Sequence, residues 1–220
     1  MTISILTYDA KTGTYGGAAC TGSLCVGGWV LRGDAESGLS ASQGSAPSTL
    51  WGTRSLELMR GGTSAADAVA RLTGADSGRG HRQMAALDPS GGVGHFTGAD
   101  SVATAGARAA ENVVVSGNML SGEAVLDACI EGYLDARGAH AERLLAALTA
   151  AERAGGDSRG LLSAALLVVG PDMAPLTLRI DHSETPLAAL QDLYRRSQSS
   201  PYADWLDLVP TLNAPDRAPG

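Results

Sequence analysis

TISILTYDAKTGTYGGAACTGS, residues 2–23, is the stretch on which the fold turns. Thr2 to Tyr8 is β-branched and apolar and ends at Asp9, Lys11-Thr12-Gly13 reads as a turn, and Thr14 to Ser23 returns as a second strand. The chain therefore opens on a β-hairpin. Small residues fill the return strand (Gly16, Gly17, Ala18, Ala19), as expected where another layer or a ligand approaches the backbone.

Working outward, Val26–Leu31 and Gly38–Ser42 read as two further strands separated by the polar turn Arg32 to Glu36, which suggests an antiparallel meander. From Pro47 the period becomes helical: Leu50, Arg54, Leu56, Leu58 and Met59 suit a helix ending at Gly61-Gly62, and Thr63 caps a second helix carrying Ala66, Val69, Ala70 and Leu72. Arg82–Leu87 and Gly92–Thr97 flank Asp88-Pro89-Ser90-Gly91, a second hairpin. Val113–Val115 is strand-like and leads into Ser116-Gly117-Asn118-Met119-Leu120. Ser121 then caps a helix over Val125 to Leu134, and a neighbour runs from Ala139 to Ala154. After the Gly155–Gly160 break come the strands Ser163–Val169 and Leu176–Asp181, and a helix over Pro186–Arg196. Residues 197–220 hold four of the nine prolines and read as an irregular tail. Hairpins in place of βαβ crossovers, with no repeat and no linker, make this one α+β domain over 1–220 in which antiparallel sheets are covered by paired helices.

Composition narrows the function. The 220 residues carry 16 basic and 23 acidic side chains, a net charge of −7, which repels polyphosphate and anionic membranes and points to a small-molecule substrate, with no nucleic acid and no membrane partner. Hydrophobic residues make up 44% but include only one Phe, so the core is built from Ala, Val and Leu. Cys20, Cys25 and Cys129 lack the paired spacing of a zinc site or a redox motif and read as reduced thiols of a cytoplasmic protein. His81, His95, His140 and His182 are scattered, so no metal is expected. Lys11-Thr12 lacks the upstream glycines of a phosphate loop, and no cofactor is expected. Gly156-Asp157-Ser158-Arg159-Gly160 matches the G-x-S-x-G nucleophile elbow in letters, but it follows a helix and precedes a strand, the reverse of what that elbow needs.

Thr2 is the first candidate for chemistry. Removal of Met1 leaves hydroxyl and α-amine on one residue at the start of a strand, and an amine of pKa about 8 is neutral often enough to take the hydroxyl proton. The competing reading is a β-former at a chain start.

An ordered set of motifs adds to this: Met-Thr-x-Ser-Ile at the start, Ser42-Gln43 before a helix, His81-Arg82-Gln83, Thr97-Gly98, Gly117-Asn118-Met119-Leu120 and Gly156-Asp157-x-Arg159-Gly160-x-x-Ser163-Ala164-Ala165-Leu166. From Thr2 to about Val169 the chain resembles the bacterial and archaeal family known as domain of unknown function 1028, placed among the N-terminal-nucleophile hydrolases. The resemblance implies a four-layer αββα sandwich and amide-bond hydrolysis by the N-terminal residue. It gives Thr2 the nucleophile's place, makes Asn118, Asp157 and Arg159 catalytic candidates, and puts Ser42, Gln43 and Arg82 on the substrate side. Asn118 could donate to an oxyanion or be a turn residue in the left-handed region, and Asp157 with Arg159 could orient the nucleophile, clamp a carboxylate or order a loop. Proteasome-type threonine hydrolases set a lysine beside the nucleophile, whereas Lys11, the sole lysine, falls at the hairpin tip. A non-catalytic binding module and an oligomeric scaffold remain rival readings, and the small-residue strands and Pro-rich tail are compatible with a homodimer.

Overall fold

A computed structural model describes residues 2–157 and 159–219. Met1 and Ser158, on which the amine and the elbow readings fall, lie outside them, as does Gly220. The opening hairpin is present: β1 (Thr2–Asp9) pairs with β2 (Thr14–Thr21) from Thr2 opposite Thr21 to Asp9 opposite Thr14. A single helical turn, α1 (Val26–Trp29), leads to β3 (Leu31–Asp34) and β4 (Gly38–Gly44). Then follow α2 (Thr49–Arg60), α3 (Ala65–Gly74), a 3-10 turn at Arg79–His81, β5 (Arg82–Leu87), β6 (Val93–Thr97), β7 (Gly106–Ala110) and β8 (Val113–Asn118). The remainder is α4 (Ala124–Asp135), α5 (His140–Arg153), β9 (Ser163–Gly170), β10 (Met173–Ile180), α6 (Pro186–Ser197) and α7 (Tyr202–Leu206).

The strands form two antiparallel sheets, one ordered β10-β9-β2-β1-β8-β7 and the other β3-β4-β5-β6. With seven helices among the described residues, this is an α+β fold. Helices α4, α5 and α6 pack on the larger sheet and α2 and α3 on the smaller, while β1, β8 and β9 of one sheet meet β4, β5 and β3 of the other. Among the described residues no helix is long and apolar enough to cross a membrane.

Strand parity distributes the side chains. Ile3 and Ile5 of β1 join Leu144, Leu148 and Leu166 in a core beneath the helices of the larger sheet. Leu6 points the other way, into the layer between the sheets with Leu39, Leu87 and Val114. Each such fully buried side chain contributes about 1.5–3 kcal/mol. The inter-sheet layer is zoned along the strands: that apolar group fills one end, and the buried polar side chains Ser4, Gln43, Gln83, Ser116 and Asn118 fill the other. Thr2 shares parity with Ser4 and Leu6 and stands at the polar end.

Three expectations are corrected. Val26–Leu31 is not one strand: Val26 and Val30 are buried at helical spacing, the Cys25 amide bonds the Asp181 carbonyl, and the chain makes a helical turn that carries it from one sheet to the other before β3 begins. The second helix is capped by Ser64, whose hydroxyl accepts from the Asp67 amide, rather than by Thr63, and α4 begins after Glu123 with no side-chain cap from Ser121. Strand β7 was not expected, since Gly-Ala-Arg-Ala-Ala carries no β-branched residue; its pairing with β8 holds it in place.

Candidate active site

Thr2 lies at the sheet end where the polar zone opens to solvent. It is in register with Thr21 of β2 on one side and Asn118 of β8 on the other. Its hydroxyl is 3.1 Å from that of Thr21. Both threonines line a cleft of about 300 Å³ shared with Gln43, Trp29, Val26 and Pro47. The cleft thus joins the end of the β1–β2 pair, the α1 turn and the loop after β4.

Behind Thr2 sits a hub of three carboxamides. Gln83 directs its Nε2 toward the carbonyl oxygens of Gly117 (2.9 Å) and Gly106 (3.0 Å) and the Thr97 hydroxyl (2.9 Å). Carbonyls only accept, so this end of Gln83 is the nitrogen and its Oε1 faces the other way. That oxygen accepts from Gln43 Nε2 at 2.7 Å and Asn118 Nδ2 at 3.1 Å. The orientation of Gln83 therefore fixes the other two amides. Gln43 Nε2 also lies 3.3 Å from the Thr2 carbonyl, and Asn118 keeps a second N–H in reserve across the strand from Thr2. With Gln43, Gln83 and Asn118 all at least nine-tenths buried, the hub is pre-organised rather than solvated.

Asp157 enters from the loop after α5. Its carboxylate accepts from the Gly22 amide at 2.7 Å, next along the chain from Thr21, and a Cβ on Gly22 would lie 2.5 Å from Asp157 Oδ2, so only glycine admits this approach. Arg159 folds back on the same carboxylate through its backbone N–H (2.8 Å), Nε (3.1 Å) and Nη2 (3.1 Å). Burial pushes the Asp157 carboxyl up, but the hydrogen bonds from Arg159 and the Gly22 amide outweigh it and hold the group below the usual carboxylate range. The loop thus sets an ionised carboxylate, paired with Arg159, beside the β2 end of the cleft. Cys20, one residue before Thr21, is no rival nucleophile: it is fully buried, and burial pushes its thiol well above the ordinary range. Among the described residues no group of three or more His, Cys, Asp or Glu is placed to hold a metal ion.

A family model described as a family of unknown function, DUF1028, matches residues 2–190. The chain belongs to the DUF1028 family. It is also similar to the crystal structure of a DUF1028 protein from Silicibacter pomeroyi, with 48% identity, a TM-score of 0.96, and coverage of 100% of this chain and 99% of that one. No curated protein matches.

Within this DUF1028 chain the sequence candidates separate into two groups. Thr2, Gln43 and Asn118 converge at the cleft and its hub, with Asp157 and Arg159 beside them. Ser42 and Arg82 face the opposite side of their strands. Ser42 donates to the Ser48 carbonyl at 2.7 Å at the start of α2. Arg82 pairs with both Asp76 oxygens (2.6 and 2.7 Å), donates to the Ala46 carbonyl (2.9 Å) and lies over the Trp51 ring, so the two residues brace the Gly44–Pro47 wall from behind. Asn118 is the last residue of a strand; the left-handed position belongs to Met119, with φ 55°. Sequence reasoning gave no role to Gln83 or Thr21. Gln83 could have been found, because a glutamine at the parity of Ala85 and Leu87 is a polar residue on a core-facing row.

Proposed function

We propose that this chain is an N-terminal-nucleophile hydrolase, built as a four-layer αββα sandwich, that cleaves an amide or related carbonyl bond in a small molecule. The observation that carries the reading is the coincidence at Thr2 of a strand-initial hydroxyl, an open cleft and a pre-oriented amide hub. The stacking of α4–α6, the six-stranded sheet, the four-stranded sheet and α2–α3 supports the fold part of it.

In this mechanism removal of Met1 frees the Thr2 amine. Thr2 Oγ attacks the substrate carbonyl as its proton passes to that amine, and the tetrahedral oxyanion is met by the second N–H of Asn118 and by backbone amides. Collapse expels the leaving amine, which takes the proton from the Thr2 ammonium. Water then adds to the threonyl ester and releases the acid, restoring the hydroxyl. Asp157 holds the end of β2 and supplies a fixed negative charge that favours the protonated amine between steps. Lys11 takes no part: it is exposed at the hairpin tip, seven residues of extended strand or about 23 Å from the β1 start. That leaves the tuning of the amine to Asp157 and to burial. It is also what favours the second reading, a binding module that uses the same cleft without turnover. The three cysteines are unpaired, which supports a reducing, cytoplasmic setting. The test is turnover of an amide and ester panel by the wild type and by Thr2→Ala, with intact mass on both. Hydrolysis lost in Thr2→Ala, by a chain lacking Met1, supports the enzyme; turnover that survives Thr2→Ala removes it.

A further inference from the structure

The wall of the cleft opposite Thr2 has a composition that the proposed mechanism does not require. Beyond the hydroxyls and the Gln43 amide, its lining among the described residues is Leu24, Val26, Trp29, Val30, Pro47 and backbone, with no ionisable side chain. Guanidinium groups stand close by, but each is engaged elsewhere. Arg32 donates to the carbonyls of Gly28 (3.1 Å), Trp29 (3.3 Å) and Leu31 (3.3 Å). Arg179 pairs with Asp181 at 2.9 Å, Arg82 with Asp76 at 2.6 Å and Arg159 with Asp157 at 3.1 Å. A charged group seated against this wall would lose water and meet no counter-charge in the wall itself, since the Asp157 carboxylate at the β2 end is paired with Arg159 and the Thr2 amine serves the reacting carbonyl, and the interior does not tolerate that.

At the mouth, Leu24 and Trp29 stand 55% and 53% exposed, large apolar side chains left in water next to Thr2. They are held rather than floppy. Ser163 Oγ accepts from the Val26 amide (3.1 Å) and donates to the Ser23 carbonyl (2.7 Å), while the Cys25 amide bonds the Asp181 carbonyl (3.0 Å). Gly27 and Gly28 let the turn lie against Arg179, where a Cβ would come within 2.8–2.9 Å of the guanidinium arm. The rim aromatic is therefore presented by a turn tied from three sides, a pocket whose ordering cost is met before binding.

We infer that the cleft selects an uncharged, apolar acyl group, aryl or aliphatic, seated against Trp29 and Leu24 with its carbonyl at Thr2. This rests on the hydrolase reading for the carbonyl's placement, but the recognition is independent of turnover.

The experiment uses the p-nitroanilides of 3-phenylpropanoic, hexanoic, succinic and 4-aminobutyric acids, with steady-state kinetics on the wild type and calorimetric binding on Thr2→Ala. The neutral pair should exceed the two charged compounds at least tenfold, in kcat/KM and in affinity alike. Trp29→Ala should raise KM for the phenylpropanoyl compound about tenfold with kcat within about twofold, and Trp29→Phe should restore most of it. Trp29→Arg should shift preference toward the succinyl compound. Equal or better use of the charged compounds, or a KM indifferent to Trp29→Ala, overturns the inference. If nothing is cleaved but Thr2→Ala binds the neutral compounds through Trp29, the inference stands while the hydrolase reading fails. Absence of both cleavage and binding at millimolar concentration overturns the inference.

Discussion

Strand β1 carries a threonine near each end, and the two make an instructive pair. Thr7 has what looks like the better catalytic partner, with its hydroxyl 2.6 Å from His140 Nε2 and the Thr14 hydroxyl 2.7 Å from the other ring nitrogen. Among the described residues, the side-chain hydrogen bond of Thr2 is to the neighbouring hydroxyl of Thr21 at 3.1 Å. Yet Thr7 is fully buried, its proton is directed to the Gly16 carbonyl at 3.1 Å, and a Cβ on Gly16 would already lie 2.6–2.7 Å from Leu144 and His140. A substrate carbonyl cannot come near it. Because the Thr7 hydroxyl donates to Gly16, His140 presents N–H to Thr7 and accepts from Thr14, so the imidazole is held neutral as a structural link between β1, β2 and α5. At the other end the same strand pair opens on the cleft. Access sorts the two sites; the strength of the hydrogen bond does not.

Thr2→Ala is expected to break the comparison most visibly: turnover falls ~10³-fold or more, while unfolding free energy changes by less than ~0.5 kcal/mol. Kinetics paired with urea denaturation reads both. The mirror change, Thr7→Val, should leave kcat/KM within about twofold and cost stability of about 1–2 kcal/mol through the lost buried hydrogen bonds.

Asn118→Ala comes next. Loss of an oxyanion donor costs about 3–4 kcal/mol in transition-state stabilisation, so kcat should drop by two to three orders of magnitude with KM little changed. A KM effect alone would place Asn118 in binding and not in the transition state.

Acid should separate the two ends further. Burial lowers the His140 pKa from 6.5 to about 4. Between those values the unfolded chain binds the proton and the folded chain does not, so this contribution is complete above about pH 6.5 and is lost as the pH falls toward 4, by on the order of 3 kcal/mol. Denaturation series at several pH values should show that slope in the wild type and a flatter one in His140→Gln.

The smallest effect is expected behind the cleft wall. Arg82→Lys loses the two-pronged contact with Asp76 and the Ala46 carbonyl bond, a cost of about 1 kcal/mol in stability, with turnover within about twofold. A large fall in kcat would move Arg82 from bracing to chemistry.

How much of this could be read in the chain follows from which forces are local. The opening hairpin, the second hairpin over β5–β6 and the major helices carry clear periods and turn residues, and all are present. Val26 to Leu31 is ambiguous by nature: two glycines between apolar residues fit both periods, and the choice is made by Arg179 and Asp181, more than 140 residues away. β7 lacks local strand preference and exists through β8. In the candidate site, Thr2, Gln43 and Asn118 are named by motif and position; strand register sets Asn118 beside Thr2, and the packing of one sheet on the other brings Gln43 to them. That Asp157 turns to Gly22 and that Gln83 orients two other amides depend on distant segments meeting in space, which spacing along the chain does not encode.

The central claim, that access selects Thr2 over the better-partnered Thr7, is tested most directly by asking which threonine an electrophile finds. The folded protein is treated with an uncharged β-lactone, digested and mapped by tandem mass spectrometry. The account predicts a chain lacking Met1 and a single acyl adduct on Thr2, with Thr7, Thr14 and Thr21 unmodified. An adduct on Thr7, or none at all on a chain whose Thr2 amine is free, would contradict it.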